Sequence, residues 1–180
     1  MLELDNNKRL FFISDVHFCH ENIIKYCNRP FDNVKMMTET IIKNWNNIIT
    51  DDDQIIFLGD FIIGCKNPRE ISEYIYDCLN GIKFFIRGNH DTDDKISEKI
   101  MWLPNDCKVR WVYYKGYSIA LKHYSYENSD FKPLSNCIHI HGHTHSPEMI
   151  TDKNNKVINV SCEATEYKPI LFEDILNKLK

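Results

Sequence analysis

The stretch KFFIRGNHD, residues 83–91, joins a short apolar run to three polar side chains. The run KFFIR has the length and composition of a buried strand, and Gly88 ends it. Asn89, His90 and Asp91 follow at once. In an open α/β sheet, ligands collect at the carboxyl ends of the strands. The stretch therefore predicts a central strand with a polar site at its end.

Other apolar runs of the chain end in the same way. RLFFIS (9–14), QIIFL (54–58) and YSIALK (117–122) are typical of strands, and so is NCIHIH (136–141). The polar groups that end these runs are DVH (15–17), GD (59–60), His123 and GHTH (142–145). Because carboxyl ends of neighbouring parallel strands meet at one edge, we expect these side chains to converge.

Helical patterns separate the first three strands. Apolar residues recur at spacings of three and four over residues 33–49, and a second helix starts at NPRE (67–70) with Asn67 as its cap. This βαβαβ order predicts parallel strands with helical crossovers. After residue 106 strands dominate, with turns at 115–116, 128–129 and 153–155, and a last helix covers 172–179. We expect a mixed sheet or a pair of sheets flanked by helices.

Composition narrows the class of protein. The 180 residues fit one domain, 43% of them are hydrophobic, and the net charge is -4. This balance argues against stable nucleic-acid binding and against a membrane-surface binder, and no run approaches the ~20 apolar residues of a membrane span. Seven dispersed cysteines and a charged N-terminus predict free thiols and a cytoplasmic protein.

The ordered set DVH, GD, GNHD, His123 and GHTH resembles the calcineurin-like metallophosphoesterase superfamily over residues 15–145. The opening SDVHFCHENI is also similar to a bacterial and phage subgroup of small phosphoesterases that begin SDxHFGH, although Cys19 stands where that subgroup has glycine. The resemblance implies a four-layer α/β/β/α sandwich of two mixed β-sheets, formed as a single domain over residues 1–180 without a cap domain.

The resemblance further implies a site for two divalent metal ions. Asp60 would bridge the ions, and each ion would have three further ligands: Asp15, His17 and His145 for the first, and Asn89, His123 and His143 for the second. Nitrogen and oxygen ligands without thiolate favour Mn²⁺, with Fe or Zn²⁺ as alternatives. Two such ions ~3.5–4 Å apart hold a phosphate and activate a bridging water for in-line attack.

The family pattern places His90 at the leaving-group oxygen, as general acid or transition-state stabiliser, with a histidine that merely packs beside the ligands as the alternative. Asp91 either orients His90 or braces its loop. Asn89, His20 and Arg29 are the expected substrate-binding residues, with loop exposure as the alternative for His20 and a solvent-facing position as the alternative for Arg29. His139 is expected to be packed or exposed, His141 to contact the ligands, and Arg87 is a weaker candidate for gripping phosphate.

These residues predict a phosphoesterase that acts on a small phosphomonoester or phosphodiester, for which a nucleotide is one option. The alternative is a scaffold on the same fold, as in the retromer subunit that resembles this family. All ligands and His90 are present, which favours the enzyme. GDFIIG (59–64) lacks the Asp-Arg pair of GDxVDRG, which disfavours protein phosphatases and dinucleoside-polyphosphate hydrolases. Monomer and homodimer both stay open.

Overall fold

A computed structural model describes residues 2–100, 102–103, 109–126, 134 and 136–180. Within these ranges the chain forms ten strands and four helices, in an order that begins with strands and crossover helices and continues mainly with strands. In chain order they are β1 (Leu2–Glu3), β2 (Leu10–Ile13), α1 (Glu21–Tyr26), α2 (Val34–Asn46), β3 (Gln54–Phe57), α3 (Pro68–Cys78), β4 (Ile82–Phe85), β5 (Arg110–Tyr114), β6 (Tyr117–Leu121), β7 (Ile138–His141), β8 (Ile150–Asp152), β9 (Val157–Asn159), β10 (Ile170–Leu171) and α4 (Phe172–Leu179).

The first sheet has four strands in the order β10-β2-β3-β4. The strands β2, β3 and β4 are parallel, and β10 is antiparallel to β2. The helices α2 and α3 form the crossovers between the parallel strands, which confirms the βαβαβ prediction. The side chain of Asn33 caps α2 by accepting from Met36 N at 3.0 Å. Asn67 is the N-cap residue of α3, but its side chain makes no capping hydrogen bond, so that detail was wrong.

The second sheet has six strands in the order β1-β5-β6-β7-β9-β8. The neighbours β6, β7 and β9 are parallel, whereas β5 pairs antiparallel with β6 and β8 antiparallel with β9. Both sheets are therefore mixed, and the expected pair of sheets is found. The turn expected at residues 128–129 lies outside the described residues.

Alternation along β2 divides the core into two layers. Phe11 and Ile13 point to the layer under α1, α2 and α3, whereas Leu10 and Phe12 point between the sheets. The helix α4 adds Phe172 and Ile175 to the layer between the sheets and contacts β10 and β2. The expected fold class, α/β with two mixed sheets flanked by helices, is confirmed.

Two further observations concern the described residues alone. None of their helices combines the length and the apolar character that crossing a membrane requires. Six cysteines lie in the described ranges, and all six are free thiols.

Candidate metal centre

The loops after five strands meet at one edge of the sandwich. Asp15 N donates to Gly59 O at 2.9 Å and His17 N to Asp60 O at 3.1 Å, which joins the loops after β2 and β3. Gly142 N donates to His123 O at 2.9 Å, which joins the loops after β6 and β7. The predicted convergence of polar strand ends is therefore present in the structure.

The backbone of this edge is held in an unfavourable conformation. The φ angles of Asp15, His17, Asp60, His143 and His145 are 58°, 50°, 61°, 73° and 50°. A left-handed backbone costs about 1–3 kcal/mol at each residue that is not glycine, and such residues cluster at functional sites. All five belong to the expected ligand set, so the strain coincides with the candidate site.

The first donor group consists of Asp15, His17 and His145, whose ligand atoms lie within 4.8 Å of one another. His17 Nε2 is 3.3 Å from His145 Nε2, and His145 Nε2 is 3.8 Å from Asp15 Oδ1. Asp15 is fully buried, and its Oδ1 has no hydrogen-bond partner. Burial raises the pKa of this carboxyl. An unpaired buried carboxylate oxygen beside two imidazole nitrogens suits a cation.

The second donor group consists of Asp60, His123 and His143, also within 4.8 Å of one another. His123 Nδ1 lies 2.7 Å from Leu58 O and donates to it, which leaves Nε2 of the neutral ring as an acceptor. This Nε2 faces two more acceptors, Asn89 Oδ1 at 2.9 Å and Asp60 Oδ2 at 3.5 Å. Three acceptors that converge in this way require a positive charge among them, from an added proton or a metal ion.

Asp60 lies between the two groups. Its Oδ2 is 3.5 Å from His17 Nε2 and 3.5 Å from His123 Nε2, and its Oδ1 accepts from His90 N at 2.9 Å. One carboxylate oxygen thus faces both groups, which fits the bridging role that the resemblance implies. The approach depends on Gly88, because a Cβ there would lie 2.8 Å from Asp60 Cγ.

Arg29 lies beneath the first donor group, with no exposed side-chain surface. Its guanidinium donates to Asp15 O at 2.7 Å, to Val16 O at 2.9 Å and to Glu163 Oε1 at 2.8 Å. These bonds point the side chain into the protein, away from any bound substrate. Neither position considered for Arg29, contact with substrate or exposure to solvent, matches this geometry, which instead indicates that Arg29 positions the ligand loop.

Glu163 is a residue of the site that sequence reasoning missed. Its Oε2 lies 3.2 Å from His145 Nδ1, so it fixes the ring orientation of a candidate ligand. Burial would lower the pKa of His145, but the hydrogen bond that His145 donates to Glu163 and the charges of Asp15 and Glu163 outweigh burial and raise this pKa. Glu163 follows β9, so the strand-end rule applied to KVINVS (156–161) would have found it.

Asp91 braces two loops and does not contact His90 through any hydrogen bond in the described structure. Its Oδ2 accepts from Asp60 N at 2.7 Å and from Gly88 N at 2.8 Å, and its Oδ1 accepts from Phe61 N at 2.9 Å. The residue is only 4% exposed. Of the two roles that the sequence allowed, the geometry therefore favours bracing, and a catalytic part for Asp91 loses its support.

His90 and His20 flank the first donor group. Both are half-buried, and their ring centroids lie 5.5 Å and 5.6 Å from that of His17. Asn89 is exposed at the same edge, with its Oδ1 turned to the second group. Tyr124, another residue that sequence reasoning missed, packs its half-exposed ring on His143 with 4.7 Å between centroids.

The remaining candidates lie away from the donor atoms. His139 is fully buried, and its Nε2 contacts the backbone of Leu134. His141 Nδ1 donates to Gly142 O at 2.8 Å, and burial lowers the pKa of His141 to about 4, so the ring is neutral at pH 7. Arg87 pairs with Asp93, outside both donor groups.

The sandwich gathers carboxylate, amide and imidazole groups at the ends of strands from both sheets, and such groups suit divalent metal ions. The family model described as calcineurin-like phosphoesterase matches residues 8–179. The chain belongs to this family, and membership indicates a hydrolase that acts on phosphoesters and uses divalent metal ions.

Two relatives and one solved structure show how far the similarity extends. The uncharacterized protein MJ1445 of Methanocaldococcus jannaschii is 42% identical over 176 residues, which cover 96% of this chain and 91% of the relative. The Gene 66 protein of Mycobacterium phage L5 is 26% identical, over 78% and 79% of the two chains. The crystal structure of AQ665, a protein of unknown function from Aquifex aeolicus, matches with a TM-score of 0.72 and 27% identity, over 97% and 100%.

Proposed function

We propose that this protein is a metal-dependent phosphoesterase that hydrolyses phosphomonoester or phosphodiester bonds with water as the nucleophile and without a covalent phosphoenzyme. The observation that carries the proposal is the convergence of carboxylate, amide and imidazole groups in both donor groups, with Asp60 Oδ2 3.5 Å from His17 Nε2 and 3.5 Å from His123 Nε2. The buried Asp15 Oδ1, which has no hydrogen-bond partner, adds to it.

Two divalent cations fit these residues. We assign Asp15, His17 and His145 to one cation and Asn89, His123 and His143 to the other, with Asp60 shared between them. Mn²⁺ is our first choice, with Fe or Zn²⁺ as alternatives, because the donors are nitrogen and oxygen. When bound, the cations supply Lewis-acid stabilisation of phosphoryl oxygens and acidify the attacking water.

His90 supplies the proton for the leaving group. The attacking water releases a proton to solvent while its oxygen forms the new bond to phosphorus and the ester P–O bond breaks. His90 donates a proton to the departing alkoxide and regains one from solvent. Support comes from its position: Asp60 Oδ1 holds the backbone N of His90 at 2.9 Å, and the ring lies beside His17 at the rim of the first donor group. His20 lies on the same rim and is proposed to contact the substrate together with Asn89.

We propose a small phosphoester as substrate, with nucleotides among the candidates, and a monomer or homodimer in a reducing cytoplasm. The free thiols support that compartment. The rival is a scaffold on this fold, which would keep the sandwich without turnover. The donor geometry favours the enzyme, since a scaffold has no need of strained ligands around an unpaired carboxylate oxygen.

The test is removal and return of metal. Protein stripped by a chelator should lose hydrolysis of p-nitrophenyl phosphate and bis(p-nitrophenyl) phosphate and regain it with Mn²⁺, while elemental analysis reports two ions per chain. Activity that survives complete stripping would refute metal dependence. A fully loaded protein that hydrolyses no ester in a wide panel would favour the scaffold.

A further inference from the structure

A small polar pocket lies beside the second donor group and has no part in the chemistry above. We call it the side pocket. The residues that line it include Ser125, His141, Thr144, Thr151, Asp152 and Asn155. Its volume is about 150 Å³. Since a water molecule occupies roughly 30 Å³ of liquid, the side pocket has room for a polar group of about five non-hydrogen atoms.

The side pocket lies next to the loops that carry the candidate ligands. Ser125 follows the candidate ligand His123 by two residues, and Thr144 lies between His143 and His145. His141 ends β7, and its Nδ1 donates to Gly142 O in the same ligand loop. These chain neighbours bring the side pocket close to the second donor group.

Ser125 is the observation that points to a ligand. The residue is 3% exposed, it lines the side pocket, and its Oγ is buried without a hydrogen-bond partner. A buried hydroxyl without a partner destabilises a protein, and native structures contain few of them. A ligand that hydrogen-bonds to this hydroxyl would satisfy it.

The chemistry of the other lining groups narrows the ligand. The carboxylate of Asp152 accepts from Asn155 N at 3.1 Å and from Asn155 Nδ2 at 2.7 Å, and Thr151 Oγ1 lies 3.4 Å from His141 Nε2. The described lining residues include acceptors and hydroxyls but neither lysine nor arginine. Such a lining suits hydroxyl groups, which donate and accept, and disfavours a second phosphate.

We propose that the side pocket binds the hydroxyl-bearing part of a phosphoester, a sugar or polyol, while the phosphate lies at the metal centre. This inference rests on the proposed function and names the alcohol portion of its substrate. Ser125 then acts as a specificity residue through a hydrogen bond to a substrate hydroxyl.

The test compares two ligands by calorimetry on the Mn²⁺-loaded protein: ribose 5-phosphate, which carries hydroxyls, and inorganic phosphate, which does not. Ser125→Ala should raise the Kd for ribose 5-phosphate about 5-fold, which is the effect of losing one net hydrogen bond, and should leave the Kd for inorganic phosphate unchanged. The matched control is Ser118→Ala, which removes an exposed hydroxyl from the same sheet and should change neither constant. Ser125→Ala should also keep or raise the Tm, because the lost hydroxyl has no partner in the protein.

The outcomes separate the two proposals. Equal affinity of the wild type and Ser125→Ala for ribose 5-phosphate would refute the proposal that the side pocket binds a substrate hydroxyl. A wild type that binds ribose 5-phosphate no more tightly than inorganic phosphate would refute it as well. If Ser125→Ala weakens binding of ribose 5-phosphate but the protein hydrolyses no ester, the proposal for the side pocket is supported and the proposed phosphoesterase activity is refuted.

Discussion

Replacing Arg29 by methionine tests whether this arginine holds the site together or binds substrate. The substitution keeps much of the apolar stem but removes the donors to Asp15 O, Val16 O and Glu163 Oε1. Arg29 has no exposed side-chain surface and Glu163 only 6%, so water cannot replace the lost bonds. Breaking a buried ion pair by removing one partner costs about 3–5 kcal/mol. For a chain of this length that lowers the Tm by roughly 6–20 °C.

The assay is urea unfolding of the metal-free protein, read by fluorescence, together with KM for an aryl phosphate on the loaded protein. Arg69→Met is the matched control, because the ion pair of Arg69 with Glu98 is exposed and should contribute no more than about 1 kcal/mol. The double variant Arg29→Met/Glu163→Gln should lose about 1–3 kcal/mol less free energy of unfolding than the two single variants lose together, because it leaves neither member of the pair as an unpaired buried charge.

The opposite pattern would refute this reasoning. If Arg29 bound substrate, Arg29→Met would raise KM while the free energy of unfolding stayed within about 1 kcal/mol of the wild type. That pattern would restore the substrate-binding role which the sequence suggested for Arg29.

Three further predictions concern catalysis, pH and the core. His90→Ala should lower kcat by about 10²–10⁴-fold at unchanged metal content; equal loss of metal and turnover would make His90 structural. In the metal-free protein, the stability advantage of the wild type over Glu163→Gln should be greatest between pH 4.5 and 6.5. Burial raises the pKa of Glu163, but the hydrogen bond from His145 and the charge of Arg29 outweigh burial and hold this pKa below the usual 4.5, so the stabilisation from Glu163 is lost at lower pH. The pKa of His145 is raised above 6.5, so the stabilisation from His145 is lost as the pH rises above that value. A difference in stability that does not depend on pH would contradict the pairing of these two residues. Trp45→Ala should cost about 3–5 kcal/mol in urea unfolding, because Trp45 is fully buried under the first sheet; a loss below 1 kcal/mol would contradict that packing.

The sequence predicted the parallel strands and their polar ends because both follow from local rules. A buried parallel strand is a nearly continuous apolar run, as residues 55–57 of β3 are, and its carboxyl end lies at the common edge. Short elements were missed for the same physical reason. The two-residue strands β1 and β10 carry almost no periodic signal, and they form because tertiary pairing with β5 and β2 supplies their hydrogen bonds.

The direction of a side chain was the part that sequence could not supply. Arg29 and Asp91 are charged residues near ligand motifs, which suggested phosphate binding for Arg29 and an orienting role toward His90 for Asp91. In the fold both are buried beneath the donor atoms, where they hold backbone groups in place. Chain position does not distinguish a residue above a site from one below it; burial does.

The same buried charges explain how strained donors persist. Asp15 and Asp60 have left-handed backbones that ordinary residues avoid. Arg29 holds the carbonyl of Asp15, and the carboxylate of Asp91 holds the amide of Asp60, so each strained residue is fixed by a charge-assisted hydrogen bond from below. The donor atoms are thereby preorganised before any cation arrives, which spares the reorganisation that a flexible loop would need at the moment of binding. Buried residues below the donor atoms therefore set the geometry that this candidate site offers to a metal ion.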